Sequence, residues 1–188
     1  VIENGDLLFV GASNENLSGA IDRVTQTNSS TNFDHVALLE VIDDSIFVLH
    51  ANTRNGSVRE PLNSFLSHDS ISQKQYAVYR LKPAYQAAIP AALVEAKKWL
   101  GLPYNFTYIL NDESLYCSDL IERIFRADQI FTLEPMTFLD PATQKTDTFW
   151  ANYYFKMNLE VPEGLPGCNP NGLAASDKLE FVAQWKNL

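Results

Sequence analysis

Residues Leu115-Tyr116-Cys117-Ser118-Asp119-Leu120-Ile121-Glu122-Arg123-Ile124-Phe125 decide how the rest of the chain is read. Leu120, Ile121, Ile124 and Phe125 recur at the spacing of one helical face, which predicts an amphipathic helix. Ser118 or Asp119 is the expected N-cap, and an acidic residue suits the first turn. Cys117 then stands at or just before a helix start. Unpaired N–H groups and the positive end of the helix dipole favour a thiolate there and depress its pKa. The same N–H groups, that of Cys117 included, can hold an oxyanion on an attacked carbonyl. A free cysteine beneath a helix is nevertheless more often simple packing. A nucleophilic role needs a histidine from elsewhere in the chain.

Upstream, Asp34 to Ile42 and Ser45 to Ala51 read as strands flanking Asp43-Asp44, a hairpin that carries two of the three histidines. With a two-residue turn, Ile42 pairs with Ser45 and paired numbers sum to 87. His50 then lies opposite Ala37, which shares a face with His35 because side chains alternate. The two histidines become diagonal neighbours with Cα atoms roughly 5.5–8 Å apart. A three-residue loop would break that parity.

The remaining segments frame these two. Asp6 to Val10 reads as a buried strand, and Leu17, Ala20, Ile21 and Val24 as one face of a short helix ending near Gln26. Thr27 to Asn32 is a polar loop. Ser57 to Glu60 is a short strand stopped by Pro61, Leu62 to Leu66 a helical turn, and His68 a solvated loop histidine. Tyr76 to Leu81 is a strand, and Pro90 opens a helix running to Leu100 with Gly101 as its C-cap. Gly101 to Phe106 is a loop that sets aromatic residues just before Cys117. Trp150 to Phe155 reads as strand or cover, Val161 to Gly172 as loop, and Lys178 to Ala183 as a last strand. No internal repeat or linker interrupts the chain, so residues 1–188 are expected to form one domain.

Composition narrows the function. With 188 residues, 46% hydrophobic and 20% charged, the chain is an ordinary globular one. A net charge of −9 without a basic cluster argues against a nucleic-acid partner. No apolar run reaches the length of an integral membrane segment. The opening Val1 to Asp6 carries no signal-like pattern, so an export signal is expected to be absent or already removed. No clustered ligand spacing calls for a metal, and no Gly-rich phosphate loop for a nucleotide, so no cofactor is expected. Cys168 sits in a Gly/Pro/Asn-rich loop with no helix start directly after it.

Four segments in order resemble a known family. They are Gly5-Asp6-Leu7-Leu8-Phe9, Asp34-His35-Val36-Ala37-Leu38-Leu39-Glu40, Gly101-Leu102-Pro103-Tyr104-Asn105 and Tyr116-Cys117-Ser118-Asp119-Leu120-Ile121. Their order is similar to the YiiX/YaeF branch of the NlpC superfamily, the circularly permuted papain-fold cysteine amidases and peptidases. The resemblance implies an α+β, papain-like fold, an antiparallel sheet or barrel packed against helices with the nucleophile at a helix N-terminus. It implies Cys117 as nucleophile, His35 as general base and His50 as the third, orienting member, where permuted relatives often have glutamate. Asn105 stands where relatives often have aspartate. On this reading the backbone N–H of Cys117, with Tyr104 or Tyr116, holds the oxyanion. The expected substrate is a small peptide, a peptidoglycan fragment or an acyl amide, cleaved through a thioester outside the cytoplasm, in the periplasm or cell envelope. A thiol acyltransferase or lipid hydrolase on the same scaffold, and a non-catalytic binding module, are the alternatives; the sequence leaves the oligomeric state open.

Overall fold

The computed structural model describes residues 1–13, 16–26, 32–68 and 74–186. Its elements are β1 (Leu7–Gly11), α1 (Asn16–Thr25), β2 (Phe33–Ile42), β3 (Ser45–Asn52), β4 (Gly56–Pro61), α2 (Leu62–Ser67), β5 (Gln75–Leu81) and α3 (Ile89–Lys98). They continue with α4 (Cys117–Phe125), β6 (Glu134–Pro135), α5 (Thr148–Lys156), β7 (Pro166–Gly167), α6 (Pro170–Ala174) and β8 (Leu179–Lys186). Six strands make one antiparallel sheet in the order β4-β3-β2-β1-β5-β8. Most of the expected polar loop, Thr27–Thr31, and Asp69 and Ser70 beside His68 lie outside the described residues.

The centre of the sheet explains its most apolar strand. β1 pairs with β2 on one side and β5 on the other. Leu7 and Phe9 enter one core while Leu8 and Val10 enter another, all four essentially inaccessible. A strand buried on both faces reads as a continuous apolar run. One face is covered by α3, α4 and α6, which bring Ala92, Ala96, Leu120, Ile124 and Leu173 into its core. The other carries α2, whose Phe65 packs with Ala37, Leu39, Val48 and Tyr76. The β2–β3 hairpin turns at Asp43-Asp44 with Ile42 opposite Ser45, as the parity argument requires. Asp43 takes φ +52°, a conformation that aspartate tolerates better than most residues.

Three features differ from expectation. α4 is buried on every side, not on one face: all nine of its residues are inaccessible. Its polar residues survive there because each charge is met, Arg123 by Asp119 and Asp112 at 2.7 Å each, and Glu122 by Arg126. The aromatic run 150–155 is helix, part of α5, started by Asp147, whose carboxylate accepts the Phe149 N–H at 2.9 Å. Its ring face makes a third core with α1 and the 104–116 loop: the Trp150 indole N–H donates to the Ala20 carbonyl and the Tyr154 hydroxyl to that of Thr107. The stretch expected to be all loop, 161–172, contains β7 and the first residues of α6. Pro170 occupies the first turn of α6, and the Asn169 side chain caps it by accepting the Gly172 N–H.

A seam joins the sheet to the loop before α4. Ser57 N–H donates to Leu102 O at 2.9 Å, and Gly101 N–H returns a bond to Ser57 O at 2.8 Å. The seam closes because residue 56 is glycine. Its φ is +70°, and a Cβ there would stand 2.1 Å from the Leu102 carbonyl oxygen.

Candidate active site

The extended backbone of Tyr116 (φ −103°, ψ 168°) ends the loop that approaches α4, and Cys117 is the first helical residue. The cap is therefore Tyr116 rather than Ser118 or Asp119. Those two side chains are engaged elsewhere, Ser118 Oγ donating to the Cys168 carbonyl and Asp119 accepting from Arg123. Cys117 packs in the core that holds Val36 and Leu38. Its sulfur lies 4.0 Å from the carbonyl oxygen of Asp34. Asp34 is the extra residue of a bulge: Val10 pairs with His35 but Gly11 pairs with Phe33. Bulges re-aim strands and are common beside functional sites.

The same strand carries His35 towards its other face. There His35 stacks on Phe65, with ring centroids 6.1 Å apart, and meets His50 edge-on. His35 Nε2 and His50 Nδ1 are 2.9 Å apart. His50 Nε2 is 2.9 Å from Glu60 Oε1, and His68 Nε2 is 3.0 Å from Glu60 Oε2. The expected pairing of His35 with His50 is thus present, and the order continues through two residues the sequence reading did not assign. His68 is 43% exposed but is tied to Glu60 rather than free in solvent. Glu60 was findable by the same alternation. β3 and β4 pair with His50 opposite Val58, and Val58 shares a face with Glu60.

The structure does not join His35 to Cys117 by a hydrogen bond among the described residues; the ring and the thiol approach β2 from opposite faces. Two cavities reflect this. One of about 310 Å³ is bordered by His35, His50, Glu60, His68, Arg54 and Lys74. The other, about 120 Å³, is bordered by Cys117, Tyr108, Met136, Phe138, Trp150 and Cys168. Ile21, Asp34 and Tyr104 border both, so the cavities adjoin at the bulge.

The electrostatics differ from the expectation of a thiolate. Burial pushes the Cys117 thiol up to about 12, although the N–H groups of Val36, Ser118 and Cys117 itself pull it down. The helix-start effect exists, and desolvation exceeds it. Burial, with His50 and Lys74 nearby, holds His35 well below the ordinary imidazole range. The resting pair is neutral thiol and neutral imidazole. Burial also lowers His50, against the pull of Glu60. At Glu60, burial is outweighed by hydrogen bonds from His50, Ser64 and His68, so its carboxyl stays below the usual range.

Of the two tyrosines assigned to the oxyanion, Tyr104 borders both cavities. Burial, with Tyr108 and Cys117 nearby, keeps its hydroxyl protonated. The Tyr116 hydroxyl accepts the Cys168 N–H at 3.3 Å, so it serves that loop. Asn105, the other departure noted in sequence, organises its loop: Oδ1 accepts from the Thr107 N–H and hydroxyl, and Nδ2 donates to Ile109 O.

Known proteins resemble this chain in sequence and fold. Over 126 residues the chain is 26% identical to the uncharacterized protein YiiX of Escherichia coli K12, a match covering 66% of this chain and 57% of that protein's length. The crystal structure of metalloprotein yiiX from Escherichia coli O157:H7 superposes with a TM-score of 0.76 at 19% identity, covering 97% of each chain. A metal does not fit the donors here. Among the described residues no group of three or more His, Cys, Asp or Glu side chains is placed to hold one, and His35 and His50 turn nitrogens on each other. A family model described as permuted papain-like amidase enzyme, YaeF/YiiX, C92 family, matches residues 1–183. With a sheet of this order, a cysteine opening the buried helix and a histidine pair on the β2–β3 hairpin it abuts, the chain belongs to that family of permuted papain-like amidases.

Proposed function

We propose that this chain is a cysteine amidase that cleaves an acyl amide through a thioester on Cys117. The observation that carries the reading is a helix-start thiol and a hydrogen-bonded histidine pair on opposite faces of β2, in cavities that share Asp34 and Tyr104 as lining. His35 uses Nε2 on His50, so Nδ1 is the nitrogen available to the thiol. Substrate entering where the cavities adjoin brings its carbonyl to the sulfur. His35 Nδ1 takes the thiol proton as sulfur attacks the carbonyl carbon. The oxyanion is held by the Cys117 N–H and the Tyr104 hydroxyl. Collapse breaks the C–N bond, and His35 gives its proton to the departing amine. Water then attacks the thioester, passes a proton to His35, and the sulfur leaves to be reprotonated.

Because both groups are neutral at rest, the nucleophile forms during attack and not before it. The aromatic cavity suits an apolar acyl group, and the cavity with Arg54 and Lys74 suits a polar amine portion. Intact-mass measurement after acid quench, across a panel of acyl amides and peptidoglycan fragments, tests this. One acyl group should add to the wild-type chain and none to Cys117→Ala, while His35→Ala should slow turnover by about a thousandfold or more. An adduct that persists in Cys117→Ala sinks the reading.

A further inference from the structure

We propose that Glu60 is a positioning residue that fixes the direction of every hydrogen bond in the histidine chain, and thereby places the lone pair on His35 Nδ1. The inference rests on the catalytic reading above and extends it to a residue two rings away from the thiol.

The argument is one of donor and acceptor capacity. An ionised carboxylate only accepts. Glu60 receives His50 Nε2 on one oxygen at 2.9 Å and His68 Nε2 on the other at 3.0 Å, so both nitrogens must carry hydrogen. A neutral imidazole has one N–H. His50 therefore offers a bare Nδ1 to His35 at 2.9 Å, and His35 must donate to it from Nε2. That leaves His35 with an unprotonated Nδ1, the form a general base requires. Reversal of the chain is chemically available. His50 could carry its hydrogen on Nδ1, donate to His35 Nε2, and leave its own Nε2 to accept from the Asn52 amide, whose Nδ2 lies 3.4 Å away. In that state His35 holds hydrogen on Nδ1 and cannot take the thiol proton. Two rings in contact have no preference between these directions by themselves. The carboxylate supplies it, and the charge that matters is 85% removed from solvent. His68 completes the cradle by occupying the second oxygen, and at 43% exposure it is the solvent end of the chain.

The test is made first on the free protein without substrate. Long-range proton–nitrogen correlation spectra of nitrogen-15-labelled protein at pH 7 report which nitrogen of each imidazole is protonated. In the wild type, His35 and His50 should both be Nε2–H forms. Glu60→Gln offers an acceptor oxygen and a donor nitrogen, so it should allow the reversed direction and give mixed or Nδ1–H forms at both rings. Glu60→Asp keeps the charge and serves if the glutamine variant melts early; it should retain the wild-type forms. His68→Gln, which leaves the carboxylate in place, should also retain them. On an acyl amide substrate, Glu60→Gln should lower kcat about tenfold to a hundredfold with KM little changed, whereas His68→Gln should do so by less than threefold. A wild-type His35 protonated on Nδ1, or a Glu60→Gln spectrum identical to the wild type, overturns the proposal. Correct wild-type forms that scramble in Glu60→Gln, in a chain that turns over no amide, would uphold the role of Glu60 and sink the amidase reading alone.

Discussion

The two sides of β2 carry opposite chemistry, although they are one residue apart along the chain. Towards Phe65, His35 enters a chain of hydrogen-bonded polar groups that ends at a half-exposed histidine. Towards α4, Cys117 enters a wall of tyrosine, phenylalanine, tryptophan and methionine. Each side moves its own proton equilibrium in the direction that removes charge. Burial raises the thiol and lowers the imidazole, so the pair is matched as two neutral partners. A strand that alternates faces can thus keep a polar, titratable cavity apart from an aromatic one and let the two adjoin only where the strand bulges, at Asp34.

This contrast can be broken first on the apolar side. Trp150 is almost wholly inaccessible and bridges α1, α5 and the cavity wall. Trp150→Ala should cost about 3–5 kcal/mol in urea unfolding, through lost transfer energy and the space left behind. A loss under about 1 kcal/mol would mean that this wall lines the cavity without holding the fold together.

A smaller effect lies behind the thiol. Asp119 is fully buried; one carboxylate oxygen takes Arg123, and the other has no hydrogen-bond partner among the described residues. Burial raises its pKa to about 6, with Arg123 opposing. For an acid raised by folding, the stabilising state is the protonated one. Its contribution is complete below the ordinary carboxyl range and is lost as pH rises through about 6. The shift corresponds to about 3 kcal/mol at most. Asp119→Asn should therefore gain on the wild type as pH rises from 4 to 7, read as the difference in Tm between them. A difference that is flat or falls with pH would show that Arg123 controls this carboxylate, not burial.

The smallest test sharpens the comparison at the sulfur. With its thiol near 12, Cys117 should be alkylated by iodoacetamide at pH 7 about a hundredfold more slowly than a free cysteine, with Cys168, also raised by burial, slow as well. Alkylation of Cys117 at the rate of a free thiol would mean that His35 already holds the proton at rest, and the two sides would no longer be separately neutral.

What could be read in the sequence was whatever depends on neighbours along the chain. Two-residue alternation and the Asp43-Asp44 turn placed His35 beside His50, and helical spacing placed Cys117 at the start of α4. What escaped depended on a second register or on depth. Glu60 needed the β3–β4 pairing, a second register set by a three-residue turn between Asn52 and Gly56. The bulge at Asp34 leaves no mark in a strand pattern, because one extra residue looks like any other. Desolvation of Cys117 came from α4 being enclosed on all sides, and its charged residues made it look half-exposed. The aromatic run of α5 suggested a strand because aromatic residues favour strands, while the cap that decides it, Asp147, lies three residues ahead of Trp150.

The seam at Gly56 sets a dimension. From Ser57 the chain leaves for α2, β5 and α3, and it returns at Gly101 to bond the residue it left. The histidine strands and the loop that leads to Tyr104 are therefore spaced by main chain against main chain, independently of what the intervening 43 residues do. The gauge of that spacing is a missing atom. Because the place of a Cβ on residue 56 is occupied by the Leu102 carbonyl, any side chain there would act as a shim, widening the gap between the histidine strands and the loop that carries Tyr104. A single methyl that lines neither cavity would then be felt as a change in reach, in a site whose parts all remain in place.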